Sequence, residues 1–232
     1  MKQAMIMAAG MGTRLSPWTD HLPKALMEYQ GKPLLAHVIE KLIFHRFNRI
    51  VINVHHFGGK VIDFLNTYSE YPADLIISDE RDLLLDTGGG IRKASIHFHQ
   101  SPVLIYNVDI MSNINLDIFW NAASSSPSIA TLAVKERRTS RPLLFDTSMR
   151  LCGWENRDSG EKVVAYDVPT AFRLAFSGIY VLKPEFIHRL PDRQVFPIIP
   201  EILRIAKESK IIGYRHDPDD WMDMGKKESY RH

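Results

Sequence analysis

Short apolar runs alternate with helix-patterned segments through the first half of the chain. The runs lie at residues 4–8, 49–54, 73–78 and 102–107. Each is rich in Val, Ile, Leu or Met, which predicts a buried strand. Residues 34–44 carry apolar side chains at helical spacing, and a second helix is predicted around residues 61–65. This alternation predicts an α/β fold built on a doubly wound, mainly parallel sheet flanked by helices.

The pattern changes after about residue 128. Strand-like runs then follow one another without full helices between them, at residues 129–135, 143–146, 151–155 and 172–182. A helix at 200–209 and a strand at 210–215 come later. We expect one domain over residues 1–232, with a larger lobe (1–128) and a smaller, mostly antiparallel lobe (129–232).

A polar, glycine-containing loop follows the first strand and has the chemistry of a phosphate cradle. Gly10 and Gly12 let the backbone approach a ligand and turn its N–H groups inward. Arg14 adds a planar fork of donors, and Lys24 adds a compact positive charge. A dinucleotide fingerprint would need a glycine at Leu15, and a Walker loop would need Gly-Lys-Ser/Thr there, so both are excluded.

Two further loops are expected to meet this cradle. Residues 79–90 and 107–109 follow the third and fourth predicted strands. Ligands of doubly wound sheets bind at the carboxyl ends of the strands, where all three loops would lie. The sequence therefore predicts one crevice lined by the phosphate loop, a glycine-rich loop and an acidic residue.

The charge balance argues against several classes of partner. The formal net charge is +2, with no long run of like charges, so neither nucleic acid nor a membrane surface is expected as a partner. No stretch approaches the ~18 apolar residues of a membrane span, and no signal peptide is visible. The one cysteine suits a reducing cytoplasm, where we expect the protein to act. The oligomeric state is left open.

The loop sequence G-x-G-T-R-L followed by P-K-A-L, at residues 10–15 and 23–26, resembles the signature of the sugar-1-phosphate nucleotidylyltransferases. That resemblance implies a Rossmann-like nucleotidyltransferase fold, with a nucleotide-binding first lobe and a sugar-binding second lobe. It also places the family's two metal carboxylates at Asp109 and Asp223, the latter in a D-x-G motif. Mg²⁺ is the cofactor this implies.

The resemblance assigns roles to further residues. Arg14 and Lys24 are expected to be catalytic. Nucleotide contacts are expected from eight positions in two loops: Ala8, Ala9, Gly10, Gly12, Thr13, Thr87, Gly88 and Gly89. Sugar contacts are expected from Asn107, Glu155 and Gly178.

Within the family, D-T-G-G-G at 86–90 and F-S-G-I at 176–179 are most similar to the N-acetylmuramate-1-phosphate uridylyltransferases. The implied substrates are UTP and N-acetylmuramic acid 1-phosphate. Mannose-1-phosphate guanylyltransferases come next, and the base and sugar stay open at this point. Phosphocholine cytidylyltransferase and a non-catalytic regulatory homologue are the remaining alternatives.

Three residues depart from the family pattern. Val108 replaces the glycine that precedes the first metal aspartate, and a β-branched residue disfavours positive φ. Lys226 stands where a threonine usually follows the D-x-G motif, and Asp86 occupies a frequent glycine position. None of them removes a charge that nucleotidyl transfer requires, so an active enzyme is expected.

Overall fold

The computed structural model describes residues 1–67 and 72–230. Its strands are β1 (Lys2–Met7), β2 (Glu28–Tyr29), β3 (Lys32–Pro33), β4 (Phe47–Val54), β5 (Asp74–Asp79), β6 (Val103–Asn107), β7 (Ile110–Ser112), β8 (Ala130–Lys135), β9 (Leu143–Phe145), β10 (Leu151–Glu155), β11 (Lys162–Val164), β12 (Phe172–Leu182), β13 (Ile211–Arg215) and β14 (Trp221–Asp223). Its α-helices are α1 (Leu34–Phe44), α2 (Gly58–Asn66), α3 (Asp86–Ala94), α4 (Leu116–Ser125), α5 (Pro184–Ile187) and α6 (Ile198–Ala206). Short 3₁₀ turns lie at Thr13–Leu15, Trp18–Asp20, Lys24–Leu26, Ser95–His97 and Lys227–Tyr230.

A ten-stranded sheet runs through the molecule in the order β11-β10-β9-β12-β6-β1-β4-β5. In addition, β8 pairs with β12, and β13 pairs with β8. The block β6-β1-β4-β5 is parallel and corresponds to the four predicted strands of the first half. Beyond it, β12 runs antiparallel to β6, β8 and β9. The predicted α/β fold class is confirmed.

Side-chain alternation along the central strands supplies a core on each face of the sheet. In β1, Ala4 and Ile6 point to a cluster that includes α1, α2 and α4, whereas Met5 points to a second cluster with α3 and α6. The parallel strands are apolar on both faces for this reason. Every helix among the described residues is too short or too polar to span a membrane.

Two helical segments differ from expectation. Helix α4 was not predicted; it begins after Asn115, whose side-chain oxygen accepts hydrogen bonds from the backbone N–H groups of Asp117 and Ile118. Residues 86–90, predicted as the end of a loop, instead form the first part of α3. Glycine is a poor helix former in isolation, and tertiary packing overrides that preference here.

Candidate active site

The carboxyl ends of the parallel strands open onto one cleft of ≈ 460 Å³. The loops after β1, β5 and β6 contribute to it, as predicted for a doubly wound sheet. Its lining residues are Met7, Ala9, Gly10, Arg14, Lys24, Asn53, Glu80, Leu84, Asp86, Thr87, Asn107, Asp109 and Val195. Ala8, Gly12, Thr13, Gly88, Gly89, Glu155, Gly178 and Asp223, also expected at the site, are not among them.

An ion pair between Lys24 and Asp109 lies inside the cleft. The Lys24 ammonium is 2.6 Å from Asp109 Oδ2, and the two side chains are only 14% and 10% exposed. Lys24 opens a 3₁₀ turn directly after Pro23, and Gly10 lies beside its ammonium group. Two residues that are 85 positions apart in the sequence are thus brought together by the loops that follow β1 and β6.

The second predicted metal carboxylate reaches Asp109 through the pairing of β14 with β7. Asp223 stands opposite Ile110, and the Met224 N–H donates to the Asp109 carbonyl over 2.7 Å. Asp109 Oδ2 and Asp223 Oδ1 both lie 2.8 Å from the point where a Cβ on Gly225 would stand, so the oxygens are at most twice that far apart. The residues present therefore fit a hard divalent cation, which needs only one or two carboxylates when phosphates and water complete its shell.

Arg14 lies at the exposed edge of the cleft, at the end that holds Lys24 and Asp109. Its guanidinium is 3.9 Å from Asp223 Oδ2, and its side chain is 63% exposed. The neighbouring Gly12 has φ +69° and precedes the 3₁₀ turn that carries Arg14. Because the Arg14 guanidinium is exposed, it can move to contact a ligand in the cleft without breaking a buried ion pair.

A buried polar pair on the cleft floor was missed by the sequence analysis. Asn53 Oδ1 accepts the Ala8 N–H over 2.7 Å, while its Nδ2 donates to Glu80 Oε1 over 2.8 Å. Glu80 is 1% exposed, and burial raises the pKa of its carboxyl, opposed by the hydrogen bond from Asn53. The available signal was a polar residue inside the apolar run of β4.

The glycine-rich start of α3 is packed against another segment. The N–H groups of Gly88 and Gly89 both donate to the Phe196 carbonyl, over 2.9 and 3.1 Å. A Cβ on Gly88 would lie 2.4 Å from the Phe196 ring, so these glycines allow a close approach between backbones. Of the predicted nucleotide contacts in this loop, Thr87 alone lines the cleft.

The predicted sugar contacts separate into two places. Gly178 lies against Asn107, since a Cβ at Gly178 would be 2.8 Å from Asn107 Nδ2. Glu155, on β10, instead accepts hydrogen bonds from Arg173 and Arg157 over 2.8 and 3.1 Å. These arginines lower the pKa of the Glu155 carboxyl, the bond from Arg173 most of all.

Residues 4–165 match the model of the MobA-like NTP transferase domain. The chain belongs to the MobA-like NTP transferase family. It is therefore an enzyme that transfers nucleotidyl groups, as the sequence motifs predicted. Members of this family generally use a divalent metal ion.

Individual relatives agree with this family of NTP transferases. The N-acetylmuramate alpha-1-phosphate uridylyltransferase of Caulobacter vibrioides is 30% identical over 97% of this chain and 92% of that protein. The mannose-1-phosphate guanylyltransferase of Mycobacterium tuberculosis is 27% identical over 98% of this chain and 62% of that protein. The UDP-glucose pyrophosphorylase structure from Acinetobacter baumanii has the same fold, with a TM-score of 0.79 over 99% of this chain and 90% of that one, at 16% identity.

The three departures from the NTP-transferase pattern have local explanations. Val108 is buried and does not have a positive φ, so the backbone at this position accommodates a β-branched side chain. Asp86 has φ +59°, which explains why glycine is frequent there, and aspartate tolerates this conformation better than most residues. Lys226 Nζ lies 4.0 Å from Asp223 Oδ2 and adds a cation at the rim of the carboxylate pair.

Gly225→Ala should abolish most activity of this NTP transferase without unfolding it. The new Cβ would lie within 2.8 Å of Arg14, Asp109 and Asp223 side-chain atoms, which can move away at little cost to the fold. Misplaced ligands should then lower kcat/KM by about 10². The check is kinetics beside thermal unfolding, with Gly59→Ala, where nothing lies within 4 Å, as the control. A fully active Gly225→Ala enzyme would contradict the proposed carboxylate geometry.

Proposed function

We propose that this NTP transferase moves UMP from UTP to N-acetylmuramic acid 1-phosphate and releases pyrophosphate. The observation that carries the reaction type is the convergence of Lys24, Arg14 and the Asp109–Asp223 pair at one end of the cleft. The substrate choice rests on the 30% identity to the Caulobacter vibrioides uridylyltransferase, which extends over nearly the whole of both chains.

The proposed reaction is an in-line displacement at the α-phosphorus of UTP. A phosphate oxygen of the sugar 1-phosphate forms the new P–O bond, and the bond from the α-phosphorus to the bridging oxygen breaks, so that pyrophosphate leaves with the electron pair. The second pKa of a phosphate monoester is near ~6, so the nucleophile is already anionic at pH 7. No general base is required, and positioning and charge compensation provide the rate enhancement.

Each charged residue has a distinct proposed role. Lys24 lies deep in the cleft and compensates the charge that develops at the α-phosphate, while exposed Arg14 and the N–H groups of residues 10–14 hold the β- and γ-phosphates. Asp109 and Asp223 would hold Mg²⁺, which supplies charge neutralisation on the phosphates when bound.

The remaining part of the site is assigned to the base and the sugar. Ala9, Gly10 and Thr87 line the cleft beside the buried Asn53–Glu80 pair, and this side would receive the uracil. Asn107 lines the cleft at the end of β6 and touches Gly178 of β12, so this pair would contact the sugar. Glu155 is held by two arginines and does not line the cleft, so its contact with the sugar stays a prediction from the family resemblance.

A substrate matrix tests this assignment. The four common NTPs are paired with the 1-phosphates of N-acetylmuramic acid, N-acetylglucosamine, mannose and glucose, and pyrophosphate release is measured. We expect UTP with N-acetylmuramic acid 1-phosphate to give the highest kcat/KM. A tenfold preference for GTP, worth about 1.4 kcal/mol of transition-state binding, would overturn the uridylyl assignment in favour of the guanylyl one. CTP with phosphocholine is included, and a lack of turnover with N-acetylmuramic acid 1-phosphate and UTP would contradict the proposed reaction.

A further inference from the structure

Strand β12 carries an irregularity where it passes the proposed sugar site. Phe176 pairs with Val134 of β8, and the next pair along the strands is Tyr180 with Leu132. Residues 177–179 of β12 therefore stand opposite a single residue of β8. Gly178, with φ +74°, lies within this bulge and against Asn107 of the cleft. The bulge sets where the backbone of β12 approaches the cleft.

Two side chains from other segments hold the carbonyl groups at this bulge. Arg137 Nη2 donates to the Phe176 carbonyl over 2.8 Å, and Trp221 Nε1 donates to the following carbonyl, of Ser177, over 2.9 Å. The Arg137 guanidinium carbon also lies 3.8 Å from the centre of the Trp221 ring. The guanidinium and the indole therefore form one stacked unit that donates hydrogen bonds to two successive carbonyl groups.

Arg137 is held there at an energetic cost. Its Nε is buried and has no hydrogen-bond partner among the described residues. Burial lowers the pKa of its guanidinium from the ordinary value, and the nearby Asp223 acts in the opposite direction. A half-buried guanidinium with one orphaned donor is a poor choice for stability alone, which suggests that its position serves the site.

The same stacked unit connects to the other half of the site. Trp221 opens β14, the strand that ends at Asp223 and pairs with β7 beside Asp109. Ser177, whose carbonyl Trp221 holds, is fixed on its other side by a 2.7 Å hydrogen bond between its hydroxyl and His216. The bond from Trp221 to Ser177 and the pairing of β14 with β7 thus connect the bulge to the carboxylate pair.

We infer that Arg137 and Trp221 are positioning residues that fix the Ser177–Gly178 bulge against Asn107 and so determine affinity for the sugar 1-phosphate. This rests on the proposed function, in which Gly178 and Asn107 contact the sugar. Neither residue is among those that line the cleft. Their loss should weaken sugar-phosphate binding while NTP binding, which uses the β1 and β5 ends of the cleft, is retained.

The test compares Arg137→Met, Arg137→Lys and Trp221→Phe with the exposed neighbour variant Arg138→Met. KM for each substrate and kcat are measured with the best substrate pair, and binding of UTP and of the sugar 1-phosphate is measured separately by calorimetry. Arg137→Met should raise KM for the sugar 1-phosphate at least about tenfold, since it removes a charge-assisted bond. Arg137→Lys should rescue poorly because an ammonium cannot both stack and donate as the planar group does.

Trp221→Phe keeps a ring under the guanidinium but loses the N–H, so we expect about a threefold to tenfold rise in the same KM. Trp221→Phe also tests the inference if Arg137→Met fails to fold. In all variants the UTP constants should stay within about twofold of wild type. Equal changes for both substrates, or an unchanged sugar-phosphate constant in a folded variant, would overturn the inference. If the wild type turns over no pair, the proposed function fails, and calorimetry with N-acetylmuramic acid 1-phosphate then decides the positioning role alone.

Discussion

Asp109→Asn and Asp223→Asn should each lower kcat by at least about 10². Asp109 lines the phosphate end of the cleft and Asp223 lies next to it beside Gly225, so each would supply one charged oxygen ligand for a divalent cation. An amide keeps the shape and removes the charge, so cation affinity falls, and Asp109→Asn also removes the ion pair with Lys24. Activity is measured as a function of Mg²⁺ concentration, and both variants should need more of it.

Asp220→Asn is the matched control for this pair. Asp220 is exposed and stands three positions before Asp223, where its carboxylate accepts a bond from Asn113. Its replacement should leave kcat within about twofold, because an exposed group of this kind contributes little. Full activity of the wild type in EDTA, or of either cleft variant, would show that the carboxylate pair holds no essential metal.

Lys24→Met should lower kcat by about 10² or more and change KM for the nucleotide far less. The ammonium lies in a nearly closed part of the cleft, where its interaction with phosphate charge is weakly screened. A group beside the reacting phosphorus gains interaction as charge builds there, so its loss appears in kcat. Steady-state kinetics with both substrates varied provides the measurement.

Two further variants sharpen the interpretation of Lys24. Lys24→Arg should recover little activity, because a planar fork cannot occupy the place of a compact ammonium 2.6 Å from Asp109. Lys162→Met, on β11, removes a lysine from the far edge of the sheet and should behave as wild type. If Lys24→Met raised only KM and left kcat intact, its role would be confined to ground-state binding.

Local patterns in the sequence were sufficient to predict the parallel half of the fold and the meeting of Lys24 with Asp109 in one cleft, whereas the roles of these residues stay predictions. The four apolar runs predicted β1, β4, β5 and β6 because a strand buried on both faces must be apolar throughout. Lys24 and Asp109 were expected at the cleft because each lies in a loop that follows a parallel strand, and the family motifs supplied the roles predicted for them. Because the carboxyl ends of parallel strands converge, the two loops are expected to meet.

Features that depend on contacts between distant segments were not predictable in this way. The Asn53–Glu80 pair joins residues 27 positions apart, and a single polar residue within an apolar strand does not name its partner. The start of α3 was misassigned because glycine opposes helix locally, whereas the approach of Phe196 favours it. Nothing in the local sequence indicated that Arg173 and Arg157 would hold Glu155.

Strand β12 also limits how this enzyme can be divided. It is hydrogen-bonded to β6 of the parallel block and to β8 and β9 of the antiparallel part, so both regions share one strand. A fragment ending at residue 128 would leave β6 as an uncovered edge, with Val103, Leu104 and Ile105, now fully buried, open to solvent and to other chains. Complementary fragments are therefore expected to aggregate when made separately. Hybrid enzymes that exchange one half for that of a relative must preserve the register between β6 and β12, so chimeras are better joined at surface loops away from this strand.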